Sequence, residues 1–232
     1  MLVDYTLRDG IALLAMDDGK ANVMSLAMLG ELNAALDRAE ADQAVVLLTG
    51  RAGMFSGGFD LAVFKREPRE QLQMLEAGAR LTERLLSFPQ PVVAACSGHA
   101  IAMGAFILLS CDVRVGIDAG ARIQANEVQI GMTLPRFAIE VCRQRLTPAS
   151  FTLTTITAMP HTPQQALAAG FLDELAPAAA LIDTAFARAT QMRALNAAAF
   201  AATKPRVRQA TLTALREAIA QDRADWSARF SS

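Results

Sequence analysis

A single carboxylate, Glu127, lies in a neutral stretch of the sequence and is the first candidate for chemistry. It follows Ala125-Asn126, and no basic residue occurs from Ile123 to Thr133. A carboxylate among apolar groups has a raised pKa because desolvation disfavours its charged form, and such a group suits the abstraction and return of a proton. The sequence therefore predicts that Glu127 moves a proton.

Two glycine-bearing turns could supply the other half of a site. The first, Met54–Asp60, follows a predicted strand at Ala44–Thr49. The second, Ser97–Gly104, follows a predicted strand at Pro91–Cys96 and leads into a predicted helix at Ala105–Ser110. The first N–H groups of a helix lack intrahelical partners, so a strand, a turn and a helix start direct N–H groups into a pocket. We expect each turn to donate one N–H to an oxyanion.

Other catalytic classes find less support in the sequence. There are two histidines, His99 and His161, and the cysteines are scattered, which excludes an ordinary zinc site. Ser56 precedes two glycines but lies outside a G-x-S-x-G elbow, and His99 has no activating arrangement with a serine or cysteine. No glycine-rich loop matches a P-loop or a dinucleotide fingerprint. Taken together, these absences favour acyl-transfer or enolate chemistry over the nucleophilic, metal or nucleotide classes.

The composition is apolar and nearly neutral. Hydrophobic residues make up 53% of the 232 positions, charged residues 19%, and the net charge is −1. The apolar surplus suggests surface that is buried between subunits, the alternative being an alanine-rich monomer. Because the sequence has no block of like charge, we expect neither a nucleic-acid partner nor a membrane partner. Three irregularly spaced cysteines fit reduced thiols in a cytoplasmic protein, and no secretory signal is expected at the N-terminus.

Two stretches admit a second interpretation. Pro91–Cys111 carries no charge over 21 residues, which is the length of a membrane-spanning helix. Because Ser97-Gly98-His99 interrupts it, we interpret it as a buried strand, turn and helix. The basic residues Lys204, Arg206 and Arg208 are interpreted as a solvated helix start, with phosphate binding as the alternative.

Strands and helices alternate along the first three quarters of the chain. Asp9-Gly10 predicts a hairpin between Leu2–Leu7 and Ile11–Met16, and Ser25 is a predicted N-cap for a leucine-rich helix. The pattern predicts an α/β body at residues 1–175 and a helical segment at residues 176–232, divided near Lys204-Pro205. The other predicted elements are helices at Glu67–Phe88, Pro135–Leu146, Pro148–Ala158 and Thr162–Gly170, and strands at Asp112–Ile117, Arg122–Ala125 and Phe171–Leu175.

Three segments, taken in order, carry a family resemblance. They are FSGGFDL (Phe55–Leu61), PVVAACSGHAIAMGAFILLSCDVRV (Pro91–Val115) and NEVQIGMTLP (Asn126–Pro135). In this order and spacing they resemble the crotonase superfamily of enoyl-CoA hydratases and isomerases. The resemblance implies a spiral of ββα units, and a C-terminal helical region that drives assembly into homotrimers or homohexamers. It also implies an acyl-CoA thioester as partner, with coenzyme A carried by the substrate and no separate cofactor or metal.

The resemblance assigns roles to individual positions. It places the two oxyanion donors on the backbone N–H groups of Gly57, where the family usually has Ala, and Met103, where Gly is usual. Lys20 and Ala21 match an early loop that contacts coenzyme A. Asp112 matches a structural position. Further substrate contacts are implied at Ser56, Phe59, Asp60, Leu61, Ala102, Gly104, Phe106, Asn126 and Leu134.

Phe106 is the informative departure from the family pattern. Hydratases of the family carry a glutamate there, which acts on water together with the glutamate that Glu127 matches. A phenyl ring cannot activate water, so the pattern is closest to single-glutamate Δ3,Δ2-enoyl-CoA isomerases. A hydratase or another crotonase reaction stays open as an alternative, as does an inactive acyl-CoA-binding member. The segment Trp226–Phe230 is a candidate cap for the pocket.

Overall fold

The polypeptide forms three β-sheets surrounded by helices. The computed structural model describes residues 1–230, with side chains through residue 228. The strands are β1 (Val3–Arg8), β2 (Ile11–Met16), β3 (Val23–Met24), β4 (Val45–Thr49), β5 (Gly53–Ser56), β6 (Gly58–Phe59), β7 (Val92–Cys96), β8 (Gly98–Ile101), β9 (Val113–Ile117), β10 (Ile123–Gln124) and β11 (Glu174–Ala176). The helices are α1 (Leu26–Ala41), α2 (Pro68–Ser87), α3 (Met103–Ser110), α4 (Arg136–Arg143), α5 (Pro148–Thr157), α6 (Pro163–Ala169), α7 (Leu181–Arg193), α8 (Ala197–Val207) and α9 (Gln209–Phe230).

The largest sheet has the order β1-β2-β4-β7-β9-β11. β1 and β2 form the predicted antiparallel hairpin, and its turn residues Asp9 and Gly10 both have positive φ. The remaining neighbours are parallel, and β4 and β7 are buried along their whole length. Continuous burial explains why these two strands read as unbroken apolar runs in the sequence.

A second sheet, with the order β10-β8-β5, is parallel throughout. The sequence predicted its strand β10, as Arg122–Ala125, but not β5 or β8. Its strands are two to four residues long, and each follows a strand of the large sheet along the chain. The chain therefore winds as repeated strand–strand–helix units, which is the spiral that the resemblance implies. The predicted turn at Ser97–Gly104 was wrong in its first half, because Gly98–Ile101, with His99, forms β8.

Helix boundaries follow local signals in several places. The Ser25 hydroxyl accepts the Met28 N–H at 3.2 Å and begins α1, as predicted. Thr162 and Gln165 form a capping box at the start of α6, and Gly170 ends it with φ of 99°. The predicted division near Lys204-Pro205 is confirmed, with the break a few residues later: α8 continues through Pro205 to Val207, and α9 begins at Gln209.

The core lies on both faces of the large sheet. One face packs against α1, α2 and α3, and the other is covered by Leu181, Ala185 and Ala189 of α7. Because α7 follows residue 176 and packs on β4, β7 and β9, the C-terminal segment contributes to the core of the sheet. The boundary at residues 175 and 176 stays a prediction. Within residues 1–230, no helix has the combined length and apolarity needed to cross a membrane.

The interpretation of the basic cluster as a solvated helix start was wrong for two of its three residues. Lys204 is buried and its ammonium lies 2.7 Å from the carboxylate of Asp112. Arg208 lies 2.9 Å from the same carboxylate, whereas Arg206 is exposed. The N–H of Val92 donates to Asp112 as well, at 2.8 Å. Asp112 thus has the structural role that was expected of it, since it joins α8 to the start of β7.

Candidate active site

The residues predicted to do chemistry come together at one edge of the small sheet. β5, β8 and β10 are parallel neighbours, so their carboxyl ends lie side by side. Gly57-Gly58 follows β5, Ala102-Met103 follows β8, and Asn126-Glu127 comes after β10. Ligands in parallel α/β sheets bind at this end of the strands. The small sheet is therefore the element that positions the site, and not the large-sheet strands named in the sequence prediction.

Gly57 is not free to act as an oxyanion donor. Its N–H donates to the carbonyl oxygen of Ala21 at 2.7 Å, and a Cβ built on it would lie 3.3 Å from the Cβ of Ala21. The expectation that the Gly57 N–H faces an oxyanion was therefore wrong, because a tertiary hydrogen bond already uses this group. Ala21 and Gly57 instead join the early loop to the end of β5.

The second turn presents a helix N-terminus to the same place. Met103 and Gly104 are the first residues of α3, and N–H groups at this position have no intrahelical acceptor. A Cβ built on Gly58, which has φ of 92°, would lie 3.5 Å from the Met103 nitrogen and 2.9 Å from the Ala102 Cβ. Gly58 therefore packs against the Ala102–Met103 segment too closely for a side chain. A Cβ on Gly104 would come within 2.6 Å of the Ser56 carbonyl oxygen, so α3 packs closely on β5.

Ala102, the N-cap of α3, has a backbone conformation that is unusual for an L-residue, with φ of 50° and ψ of −120°. This region is ordinarily taken by glycine, and strained backbone of this kind costs about 1–3 kcal/mol. The Ala102 N–H donates to Gln124 at 2.8 Å, which ties the end of β8 to β10. The strained residue thus sets the direction in which α3 begins.

Glu127 is buried, with 6% of its surface exposed, and its Oε2 atom has no hydrogen-bond partner among the described residues. Burial raises its pKa to about 7. The predicted burial and raised pKa are thus confirmed. The neighbouring Asn126 has a buried Oδ1 that likewise lacks a partner in the described part of the chain. The two unpaired oxygens leave acceptor capacity for a ligand.

A cavity of about 60 Å³ lies beside Glu127. Among the side chains lining it in the described chain, Glu127 is the one titratable group and Asn126 the one other polar group. Of the predicted site residues, Gly57, Phe59, Leu61 and Ala102 also line it. Lining residues that the sequence prediction missed are Phe64, Leu75, Ile130, Met132 and Pro135.

The other predicted contacts lie around the cavity and not on its wall. Lys20 is exposed on the early loop, and Asp60 accepts the Ala62 N–H at 3.0 Å within the loop that follows β6. Phe106 is fully buried in the core. Leu134 borders a neighbouring open groove, which shares Met132 with the cavity. The remaining predicted contacts, Ser56, Met103 and Gly104, are buried and do not line the cavity.

Asn22 and Asp18 hold the early loop in place, and the sequence prediction gave neither of them a role. The Asn22 side chain is buried and donates to carbonyl oxygens of Met16 and Phe55, at 3.0 and 3.3 Å. Its own carbonyl accepts the Ser56 hydroxyl at 2.8 Å. Burial acts to raise the pKa of Asp18, but hydrogen bonds from three backbone N–H groups of the loop lower it below its ordinary value. The bonds that join Asn22 to Phe55 and Ser56 link residues far apart in sequence, and no periodicity or spacing could reveal them.

The C-terminal helix α9 packs against α4, which follows the segment that contains Glu127. The carboxylate of Asp222 accepts the N–H groups of Arg136 and Phe137, at 2.9 and 2.8 Å, and so caps α4. Trp226 packs on Phe137 with ring centroids 6.4 Å apart and does not line the cavity. The side chains of residues 229 and 230, which belong to the predicted pocket cap, lie outside the described side chains.

A sequence model of Enoyl-CoA hydratase/isomerase matches residues 6–232. The chain belongs to this family. It is 46% identical to a protein of Mycobacterium tuberculosis, over 96% of this chain and 98% of that one, with a TM-score of 0.93. One solved structure of that protein calls it an enoyl-CoA isomerase, and another calls it a probable enoyl-CoA hydratase. Human mitochondrial delta3-delta2-enoyl-CoA isomerase is 26% identical, over 100% and 93%, also with a TM-score of 0.93.

The family's curated members carry both reaction names. A "Probable enoyl-CoA hydratase" of Bacillus subtilis is 31% identical over 132 residues, which are 55% of this chain and half the length of that relative. The enoyl-CoA hydratase/isomerase family acts on acyl-CoA thioesters. Membership therefore establishes the class of enzyme and confirms the resemblance and the crotonase fold, and the choice between isomerase and hydratase depends on the site.

Proposed function

We propose that this protein is a Δ3,Δ2-enoyl-CoA isomerase. The observation that carries the proposal is the single acid: Glu127 is buried beside an apolar cavity that no other titratable side chain in residues 1–228 lines. Isomerisation needs one group to take a proton from C2 and return it to C4 of the acyl chain. Hydration needs a water molecule that is held and activated, and the wall of this cavity has no second carboxylate for that task.

The pKa of about 7 suits this role. Near neutral pH a substantial fraction of the Glu127 carboxylate is ionised and can accept a proton, and the resulting acid is strong enough to return it. Desolvation also leaves the carboxylate without competing hydrogen bonds at Oε2. The same group can therefore serve as base in the first step and as acid in the second.

Negative charge on the thioester oxygen would be stabilised by a backbone N–H group. The Met103 N–H at the start of α3 is the proposed donor, and the helix N-terminus adds a favourable dipole. The Gly57 N–H donates to Ala21 and the Gly58 N–H donates to the Ser56 hydroxyl at 3.2 Å, so we assign no second donor. Loss of one such donor typically costs about 3 kcal/mol of barrier, so the Met103 N–H alone supplies a large share of the rate.

The deciding experiment is turnover by the wild type and by Glu127→Gln. With 3-enoyl-CoA as substrate, the wild type should generate the absorbance of the conjugated 2-enoyl thioester. Glu127→Gln should lose turnover while it binds a saturated acyl-CoA with nearly unchanged affinity. Full activity in this variant would refute the mechanism. Depletion of 2-enoyl-CoA by hydration would identify a hydratase, and binding without conversion of either substrate would identify an inactive member.

Assembly and location are proposed on separate grounds. Four large apolar side chains are exposed on or near the segment that follows Glu127: Val128, Ile130, Leu153 and Ile156. An exposed apolar patch of this kind supports a homotrimer or homohexamer, and light scattering that gave a monomer mass would refute it. The three cysteines are buried and free, which supports a reducing, cytoplasmic location. We propose no cofactor beyond the coenzyme A of the substrate.

A further inference from the structure

Gly78 leaves room in the middle of α2 for a side chain of the site. A Cβ built on Gly78 would lie 2.5 Å from both Cε1 and Cζ of the Phe59 ring, and 3.5 Å from Cε of Met103. Alanine is favoured over glycine in a helix interior by about 1 kcal/mol. Glycine at this position therefore weakens the helix, and in return the Phe59 ring rests directly on the helix backbone.

The two contacted residues both belong to the proposed site. Phe59 lines the cavity beside Glu127, and Met103 carries the proposed N–H donor at the start of α3. We infer that Gly78 is a positioning residue. Because it has no Cβ, the Phe59 ring can pack directly against the backbone of α2, and the position of the ring determines the width of the cavity. This inference rests on the proposed isomerase function and adds a determinant of it that is not in contact with the reacting atoms.

The distances from a Cβ at position 78 indicate which neighbouring side chain a methyl group there would displace. A separation of 3.5 Å from Met103 is an ordinary van der Waals contact, so Met103 would stay in place. A separation of 2.5 Å from Phe59 is far too short, so the ring must move. The ring is held between α2 and the cavity, and the cavity is the open side. A methyl group at position 78 would therefore push the ring into a space of only about 60 Å³.

The test compares Gly78→Ala with a matched glycine. Gly30 lies inside α1, and a Cβ there would meet nothing within 4 Å, so Gly30→Ala should keep wild-type kinetics. Gly78→Ala should lower kcat/KM for 3-enoyl-CoA by about 10- to 100-fold, since small displacements in a site have effects of that size. The double variant Gly78→Ala with Phe59→Leu should regain the kcat/KM of Phe59→Leu alone to within about twofold.

Each outcome decides the inference. If Gly78→Ala keeps wild-type kcat/KM, or if Phe59→Leu does not rescue its loss, the inference is wrong. If the wild type does not convert 3-enoyl-CoA, the proposed function has failed, and a crystal structure of Gly78→Ala then judges the inference alone. A Phe59 ring displaced into the cavity supports the positioning role, and a ring in its original place refutes it.

Discussion

The ring of Phe106 packs edge-on against the ring of Phe137, with centroids 5.9 Å apart and planes at 86°. Both rings are fully buried, and Phe137 packs in turn on Trp226. Position 106 therefore faces an aromatic cluster between α3, α4 and α9, and not the cavity beside Glu127. Phe106 therefore does not line the cavity. Its ring instead stabilises the packing of α3 against α4 and α9.

Replacement of Phe106 by glutamate should destabilise the protein without creating a hydratase. A carboxylate there would be buried among aromatic rings, and an unpaired buried charge is costly. Phe106→Ala, the control for lost ring volume, should lower the free energy of unfolding by about 3–5 kcal/mol. Phe106→Glu should lower it further at neutral pH, as measured by urea unfolding. A folded Phe106→Glu variant that hydrates 2-enoyl-CoA would contradict this prediction.

The pH dependence of turnover should follow Glu127. Only the ionised carboxylate can accept the C2 proton, so kcat/KM should rise with pH and level off above an apparent pKa of about 7. The Cys142 thiol, whose pKa is raised by burial and by Glu127, stays protonated over this range. Initial rates with 3-enoyl-CoA between pH 5 and 9 give the profile. A flat profile across neutrality would show that another group moves the proton.

The same carboxylate should lower stability at neutral pH and above. Its pKa is raised on folding, so the folded state holds the proton more tightly than the unfolded chain, and stability falls as pH rises from about 4.5 to 7. Glu127→Gln removes this titration. The variant should exceed the wild type by at most about 3 kcal/mol above pH 7, and the difference should vanish near pH 4.5. Urea unfolding at both pH values measures it, and an equal difference at both would contradict the assignment.

The sequence was sufficient where local signals determine the structure. Asp9-Gly10 predicted the hairpin, Ser25 and Thr162 predicted helix starts, and the neutral surroundings of Glu127 predicted its burial. Each of these signals lies within a few residues of the feature that it predicts. Local chemistry therefore gave the order of elements and the buried acid.

Long-range contacts determine what the sequence could not predict. The strands of the small sheet are too short to show a periodicity of two, so the sheet that aligns the site was missed. The bond from Gly57 to Ala21 and the ion pair of Lys204 with Asp112 join residues far apart in sequence. A search of the sequence for glycines could locate the turns, but only tertiary packing decides which amide remains free.

Replacement of the strained Ala102 by glycine should stabilise the protein. Glycine adopts φ of 50° with ψ of −120° without a Cβ clash, so Ala102→Gly should raise the free energy of unfolding by about 1 kcal/mol. Ala34, exposed in the middle of α1, provides the control, because Ala34→Gly should lower it by about 1 kcal/mol. Urea titrations of both variants measure the difference. A loss of stability in Ala102→Gly would show that the Ala102 methyl packs more favourably than its backbone is strained.

Removal of the Lys204 ammonium should be costly because it leaves part of a buried ion pair. Burial lowers the pKa of Lys204, while the carboxylate of Asp112 at 2.7 Å opposes that effect and keeps the pair charged. Lys204→Met should lower the free energy of unfolding by about 3 kcal/mol, since Arg208 remains to neutralise Asp112 only in part. Arg206→Met, an exposed neighbour in the same helix, should change it by less than about 0.5 kcal/mol. If the cluster bound phosphate instead, inorganic phosphate would stabilise the wild type against urea but would not stabilise Lys204→Met. If the cluster is an ion pair, phosphate should affect the two proteins equally.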